Sequence, residues 1–108
     1  MILKQIPSGY DANFAYLIAD KKTKEGAIID PSVDISKIKE EIKGFEIKYI
    51  INTHSHMDHV AGNKELKSLT GAKIIQHELS PEDHDISIKA NQEIKLGSLI
   101  LKIIYTPG

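Results

Sequence analysis

The sequence has no cysteine and, among its fourteen basic side chains, no arginine. The absence of cysteine excludes disulfides, thiolate metal sites and cysteine nucleophiles, so any metal ion must be held by His, Asp or Glu. The absence of arginine excludes the planar guanidinium that binds phosphate or carboxylate through two parallel hydrogen bonds. The chemistry open to this chain therefore rests on imidazole, carboxylate and amine groups.

An excess of charge of one sign is also missing. Fourteen basic and fifteen acidic side chains leave a formal net charge of −1. A chain this close to neutral has no long-range field that would attract polyanions or anionic lipids. We therefore expect neither a nucleic-acid partner nor a membrane partner.

Long apolar runs are the third absence. No stretch of about 18 apolar residues occurs, and the first residues lack the basic and apolar segments of a secretory signal. These features predict a soluble cytoplasmic protein. With 41% apolar and 27% charged residues, the composition is that of a folded protein, and a length of 108 residues predicts a single domain, residues 1–108.

The first third of the chain alternates short apolar segments with turns. Residues 2–6, 14–19 and 27–29 are predicted strands, and the polar segment 20–24 is a predicted hairpin connection. Asp30-Pro31 ends the third strand because proline has no backbone N–H for a ladder. This pattern predicts an antiparallel meander.

A helix is predicted next. Ile35, Ile38 and Ile42 recur at helical spacing between Lys and Glu residues. Asp34 is the predicted N-cap, and Gly44 is the predicted C-terminal end. The single apolar stripe of this helix predicts that the helix packs on a sheet.

The second half of the chain contains further strands and one more helix. Residues 45–51 form a nearly continuous apolar run, which is typical of a strand covered on both faces. Residues 63–69 are predicted to be helical, with Leu66 and Leu69 inward and Gly71 as the end. Later predictions are a strand at 72–75, a polar loop at 78–85 and a hairpin of strands 93–96 and 99–105.

The most informative segment is Thr53-His54-Ser55-His56-Met57-Asp58-His59, in which the four potential metal ligands His54, His56, Asp58 and His59 fall within six positions. In an extended stretch His54 and His56 point to one side, while a helical turn beginning near Asp58 redirects the other two. Imidazole and carboxylate suit Zn(II), Fe(II) or Mn(II), and two neighbouring ligand pairs can support a two-metal site.

The spacing of this motif is specific. A shuffled chain with the same five His and seven Asp would contain His-x-His-x-Asp-His roughly 7 × 10⁻⁴ times. The motif also follows a predicted buried strand and precedes a helix, which places it at the carboxyl end of a strand, where open α/β sheets bind ligands. The alternative interpretation is a histidine-rich surface loop or a satisfied buried network.

Segment 53–59 resembles the signature of the metallo-β-lactamase-fold superfamily. Other segments lie where that family has them, namely Asn13-Phe14-Ala15-Tyr16-Leu17-Ile18, Ala27-Ile28-Ile29-Asp30-Pro31, Gly62-Asn63, Leu96-Gly97 and Thr106-Pro107-Gly108. Within the superfamily, the chain is most similar to glyoxalase II-like hydrolases and persulfide dioxygenases. The resemblance implies an α+β fold, the N-terminal half of an αββα sandwich, with one mixed, mostly antiparallel sheet and helices on one face.

The resemblance also implies a role for each residue of the motif. His54 and His56 match two ligands of a first metal ion, and Asp58 and His59 match ligands of a second. Asp58 also matches the residue that positions the attacking water, which makes it the implied catalytic residue. The implied cofactor is zinc, two ions per complete site, with iron or manganese as alternatives. In the iron branch of the family, His54 alone of this motif is a ligand.

Further ligands are expected outside these residues. In the family, the turn that Thr106-Pro107-Gly108 resembles is followed by another His, and a bridging Asp and a final His come later. The resemblance therefore implies that residues 1–108 form a truncated single domain, in which metal occupancy is weaker than in a complete site.

Three functions are open at this point. The first is the N-terminal part of a metal-dependent hydrolase that cleaves a small thioester, such as S-hydroxyacylglutathione, by metal-bound hydroxide. The second is an iron-dependent persulfide dioxygenase; both enzymes act on a small-molecule substrate. The third is a non-catalytic half-domain that forms a homo-oligomer through an exposed sheet face or edge, since half of a sandwich leaves apolar surface uncovered.

Three other polar residues carry weaker signals. Asp30 is either a turn residue that ends a strand or a residue that orients a metal-bound histidine. His77 follows a predicted strand and His84 lies between acidic residues, so both are expected at the surface and neither is assigned as a ligand.

Overall fold

A sheet of six strands organises the chain. The computed structural model describes residues 1–8, 14–32, 34–52, 57–77, 84–88 and 92–102, and for residues 57–61, 77 and 88 it describes the backbone alone. The strands lie side by side in chain order. They are β1 (Ile2–Pro7), β2 (Phe14–Ala19), β3 (Glu25–Ile29), β4 (Glu46–Ile51), β5 (Lys73–His77) and β6 (Ile86–Ile88).

The pairing within this sheet changes direction at β3. Strands β1, β2 and β3 are antiparallel neighbours, which confirms the predicted meander. From β3 to β6 the neighbours are parallel, and the helices α1 (Ser36–Glu41) and α2 (Met57–Thr70) connect β3 to β4 and β4 to β5. The α+β class and the mixed sheet are confirmed. Parallel pairs form a larger share of the sheet than predicted, because each helix returns the chain in the same direction.

A second, two-stranded sheet follows. Its strands β7 (Glu93–Leu96) and β8 (Leu99–Lys102) pair antiparallel around Gly97 and Ser98, which confirms the predicted hairpin; residues 103–105 of that prediction lie outside the described residues. The sequence does not predict β6, because three residues are too few to show a period.

The two helices cover one face of the large sheet, as the resemblance implies. Ile38 of α1 and Leu66 of α2 lie in one cluster with Leu17, Ile28 and Ile50 from three strands. All five side chains are fully buried. Burial of large aliphatic side chains is the main source of stability here, at about 1.5–3 kcal/mol for each.

The β7–β8 hairpin covers part of the opposite face. Ile94 and Leu96 of the hairpin pack with Ala27, Ile51 and Ile75, which alternate along their strands with the residues that face the helices. The described chain therefore has three layers: helices, large sheet and small sheet.

Further out on this face, the surface of β1 and β2 is apolar and exposed. Leu3 is 59% exposed, Phe14 38% and Tyr16 37%. Leu3 pairs with Ile18, which places it on the same side as Phe14 and Tyr16. Self-association through this face or through a sheet edge remains a prediction.

Strand β4 has apolar side chains on both of its faces, as predicted. In its register with β3, Lys48 is left out of the pairing, which forms a bulge. The extra residue lets Ile47 and Ile50 both join the helix-side cluster, while Tyr49 and Ile51 join the hairpin-side cluster.

Helix α1 is shorter than predicted, and its N-cap is Ile35 rather than Asp34. The Asp34 carboxylate instead accepts hydrogen bonds from Ser36 Oγ at 2.7 Å and Ser36 N–H at 3.0 Å. These two bonds, the hydroxyl one foremost, lower the pKa of Asp34. Because the carboxylate bonds within its own turn, the residue that follows becomes the cap. Gly44 lies beyond the helix with a φ of 87°, as its predicted role requires.

Helix α2 confirms the inward position predicted for Leu66 and contradicts that predicted for Leu69. Leu66 is fully buried, whereas Leu69 is 56% exposed. The buried positions of the helix are Gly62, Asn63 and Leu66, whereas Leu69 lies in the last turn, one residue before α2 ends at Thr70. Gly71, with a φ of 74°, follows the helix as predicted.

Neither α1 nor α2, the helices of the described residues, is long and apolar enough to cross a membrane.

Asp20 attaches the hairpin to the large sheet. Its carboxylate accepts hydrogen bonds from Ser98 N–H at 2.5 Å and Ser98 Oγ at 2.7 Å, and from Lys22 N–H at 2.9 Å. These bonds, led by the backbone bond of Ser98, hold the pKa of Asp20 well below its usual value. A side chain at Gly97 would overlap Asp20, so the turn approaches the carboxylate as closely as only glycine permits.

We expect Asp20→Asn to lower the melting temperature and to flatten its dependence on acid pH. Because the folded-state pKa is lowered, the stability from Asp20 is complete above the ordinary carboxyl pKa of about 3.9 and is lost as the pH falls further. Thermal unfolding of the wild type and the variant, measured from about pH 6 to pH 2, should show curves that converge in acid. Glu41→Gln, which removes an exposed ion pair with Lys4, is the control, and parallel curves for Asp20→Asn and the wild type would contradict the assignment.

Candidate metal centre

The motif segment follows Asn52, which lies at the carboxyl edge of the parallel strands. Strands β3, β4 and β5 run in the same direction, so their last residues meet at one edge of the sheet. The backbone continues the pairing past the strand ends: Asp30 N–H donates to Ile51 O at 2.8 Å, and Asn52 N–H donates to Ile75 O at 3.0 Å. The chain that follows Asn52 therefore starts from a firmly held position.

Two of the four predicted ligands lie outside the described residues, and the other two lie in helix α2. His54 and His56 lie in residues 53–56, outside the described residues. Asp58 and His59 lie in the first turn of α2, which begins at Met57. The helical turn predicted near Asp58 is therefore confirmed, while the convergence of the four side chains stays a prediction. Among the side chains that the structure does describe, no three His, Asp or Glu residues come together.

The residues present at this edge fit a divalent metal ion. Three imidazoles and one carboxylate are ligands that zinc, iron and manganese accept. Only residues 53–56 separate Asn52, which follows β4, from the start of α2, so two candidate ligands belong to this four-residue connection and the other two to the first turn of the helix. The fit rests on the types of donor and on this short connection.

Three buried amide side chains lie next to the motif; the sequence analysis named only Asn63, within the segment Gly62-Asn63, and gave none of the three a role. Asn63 Nδ2 donates to Asn52 Oδ1 at 2.5 Å, Asn52 Nδ2 donates to Asn63 Oδ1 at 3.2 Å, and Gln76 Nε2 donates to Asn52 Oδ1 at 2.6 Å. In the sequence, each of the three is a polar residue in or next to a predicted strand or helix. That position does not reveal which residue will be its hydrogen-bond partner.

The loop after β3 packs against the same helix. Asp30 has a φ of 55°, a left-handed conformation that is uncommon for residues other than glycine. Ser8 Oγ accepts a hydrogen bond from Ser32 N–H at 2.9 Å and donates one to Asp34 O at 3.0 Å. A Cβ atom at Gly62 of α2 would overlap the carbonyl group of Ser32. The turn role of Asp30 is confirmed by its backbone, and its role in orienting a histidine stays a prediction.

The remaining histidines lie apart from the motif in the chain. His77 is the last residue of β5. His84 is half-buried and its Nε2 lies 2.8 Å from Ser87 Oγ. The adjacent Asp85 accepts hydrogen bonds from Ile74 N–H at 2.8 Å and from Lys67 Nζ. These bonds, the backbone one foremost, lower the pKa of Asp85. Through them the carboxylate links β5 to α2.

Comparison with known proteins places these features in a family. The family model described as the metallo-beta-lactamase superfamily matches residues 9–107. A hydroxyacylglutathione hydrolase from Polaromonas sp. is 38% identical over 115 residues, which cover 100% of this chain and 43% of that protein. The mitochondrial persulfide dioxygenase ETHE1 of Homo sapiens is 32% identical over 114 residues, which cover 100% of this chain and 44% of that protein.

A solved structure has the same fold. The crystal structure of ETHE1 from Myxococcus xanthus matches with a TM-score of 0.89 at 22% sequence identity, over 100% of this chain and 49% of that one. At this identity the likeness establishes the fold alone. The chain spans about half the length of these three proteins.

We expect Gly62→Ala to destabilise the protein, although alanine favours a helix interior by about 1 kcal/mol over glycine. The added Cβ would meet the Ser32 carbonyl and force α2 away from the loop, and such overpacking costs typically 1–3 kcal/mol. Urea unfolding measures the change. Ser68→Ala, at an exposed position of the same helix, should be neutral or slightly stabilising. A Gly62→Ala variant as stable as the wild type would contradict the close approach of helix and loop.

Proposed function

The chain belongs to the metallo-beta-lactamase superfamily, and from this premise we propose that it is the N-terminal, ligand-bearing part of a metal-dependent hydrolase. The observation that carries the proposal is the segment His54-Ser55-His56-Met57-Asp58-His59, which leads from the end of β4 into α2. The similarity to a hydroxyacylglutathione hydrolase supports a small thioester as the substrate class.

Each residue of the motif has a proposed role. His54 and His56 supply imidazole nitrogens to one metal ion, and Asp58 and His59 supply ligands to a second. Zinc is the proposed metal, and when bound it lowers the pKa of a water molecule toward neutrality and polarises a carbonyl group. The Asp58 carboxylate accepts a hydrogen bond from the attacking water and orients it toward the thioester carbon.

The backbone around the motif supports these roles. The hydrogen bonds from Asp30 N–H to Ile51 O and from Asn52 N–H to Ile75 O hold the start of the segment. Helix α2 holds its end, and the helix N-terminus carries a partial positive charge that favours the ionised form of a carboxylate in the first turn, where Asp58 lies. An ionised Asp58 is the form that both proposed roles require.

We expect the chain to bind Zn²⁺ through the motif and His54→Ala or His59→Ala to weaken that binding by more than about tenfold. Loss of a partner outside the ligand set already costs 10–100-fold in metal affinity, and a lost ligand costs at least as much. Affinity should also fall below about pH 6.5, because a protonated imidazole cannot bind a metal. Isothermal titration of the metal-free chain with Zn²⁺ measures both effects.

The matched control is His84→Ala, which removes a histidine that lies beside Ser87 and outside the motif. It should bind Zn²⁺ like the wild type. Equal losses of affinity in His84→Ala and His54→Ala would show that Zn²⁺ binds to histidines without regard to the motif, and would contradict the proposed centre.

A second candidate function is iron-dependent persulfide oxidation. The similarity to the human persulfide dioxygenase, 32% identical over the whole of this chain, favours it. In this alternative, His54 is the single ligand that the motif supplies. The two candidates therefore differ in the metal, in the number of ions and in the need for Asp58.

Joining residues 1–108 to the remaining part of the Polaromonas hydrolase gives a full-length chain in which the two candidates can be separated. We expect two zinc ions per chain and thioester cleavage, with Asp58→Asn losing the cleavage and about half of the zinc. One iron per chain, oxygen consumption with a persulfide and iron content unchanged by Asp58→Asn would support the second candidate instead. Neither metal and neither reaction would contradict both.

A further inference from the structure

Asn52, Asn63 and Gln76 are buried amides beside the motif that are joined by hydrogen bonds. Their residues are 6%, 3% and 2% exposed, so water does not compete for their hydrogen bonds. Asn52 and Asn63 exchange two hydrogen bonds side chain to side chain, and Gln76 adds a third to Asn52 Oδ1.

The three residues come from three different elements. Asn52 directly follows β4, Asn63 lies in α2, and Gln76 lies in β5. The pair Asn52 and Asn63 spans the segment 53–56, so it links the chain just before the motif to the helix just after it. Positions 59 and 63 are one helical turn apart and lie on the same face of α2.

Packing alone does not account for amides at these positions. Burying an amide is costly unless its hydrogen bonds are made, and apolar residues of the same shape would fill the space without that cost. An amide pair instead has a preferred direction and distance, so it holds two elements at a defined separation where an apolar contact would allow them to slide.

We propose that Asn52, Asn63 and Gln76 are positioning residues that set the distance between the end of β4 and the first turns of α2, and thereby the geometry in which the motif ligands converge. The last step of this proposal rests on the proposed metal-binding function. The link between strand and helix does not, because it concerns the metal-free chain.

The test uses Asn63→Leu, which keeps the approximate size of the side chain and removes both amide bonds to Asn52. The matched control is Leu66→Ala, three residues along the same helix, which removes buried apolar contacts and leaves the amides in place. Zn²⁺ titration should show an affinity about 10–100-fold weaker for Asn63→Leu, and within about threefold of the wild type for Leu66→Ala. Thermal unfolding of both variants records how much general stability each has lost.

Hydrogen exchange of the metal-free chain provides the second measurement. Asn63→Leu should speed hydrogen exchange of the backbone N–H of Asn52, which donates to Ile75 O, more than Leu66→Ala does. Gln76→Met removes the hydrogen bond that Gln76 donates to Asn52 Oδ1, leaves the pair of Asn52 and Asn63 in place, and should shift both measurements in the same direction by less. This milder variant serves as the test if Asn63→Leu does not fold.

The outcomes separate the two proposals. A wild type that fails to bind Zn²⁺ contradicts metal binding by the motif of this chain, and hydrogen exchange at the backbone N–H of Asn52 then decides the link between strand and helix on its own. Affinity that falls in proportion to lost stability in both variants, or exchange at Asn52 that Asn63→Leu does not speed beyond the control, overturns the positioning role.

Discussion

Parallel pairing of β4 with β3 and β5 is the constraint on which the candidate centre depends. It brings the ends of three strands to one edge, and the first backbone N–H beyond two of them, at Asp30 and Asn52, donates to the neighbouring strand. Strand β4 can occupy this central position because both of its faces are apolar, with Ile50 toward the helices and Ile51 toward the hairpin. A strand buried in this way has little freedom to shift, so the residues that follow it leave from a defined point.

Polar groups are buried where elements must be held at a fixed distance. Asp20 holds the β7–β8 hairpin on the sheet, Ser8 holds the loop after β3, and Asn52 holds helix α2. Each of these side chains is nearly inaccessible to water and satisfied by hydrogen bonds. Apolar clusters supply most of the stability, and these directional contacts decide how the layers are placed on one another.

The three layers of the described chain form within a sequence that spans about half the length of its relatives. The chain spans 43% of a hydroxyacylglutathione hydrolase and 49% of the ETHE1 chain from Myxococcus xanthus, yet its described part already has helices, a large sheet and a hairpin packed in three layers. Leu3, Phe14 and Tyr16 remain exposed on the side of the sheet that carries the hairpin. The exposed apolar surface on β1 and β2 is therefore a feature separate from the motif, which follows β4.

The sequence by itself determined the family, the meander of β1 to β3, the hairpin and the types of potential metal ligand in the motif, since these follow from residue types and short-range spacing. It did not determine that Leu69 is exposed, that Ile35 caps α1, that Ile86–Ile88 is a strand or that the hairpin covers the second face. Nor did it reveal the amides of Asn52, Asn63 and Gln76, which look like isolated polar residues along the chain. Their hydrogen bonds join positions 11 and 24 residues apart. Such contacts exist only after the helix has packed on the sheet, so the tertiary structure alone decides them.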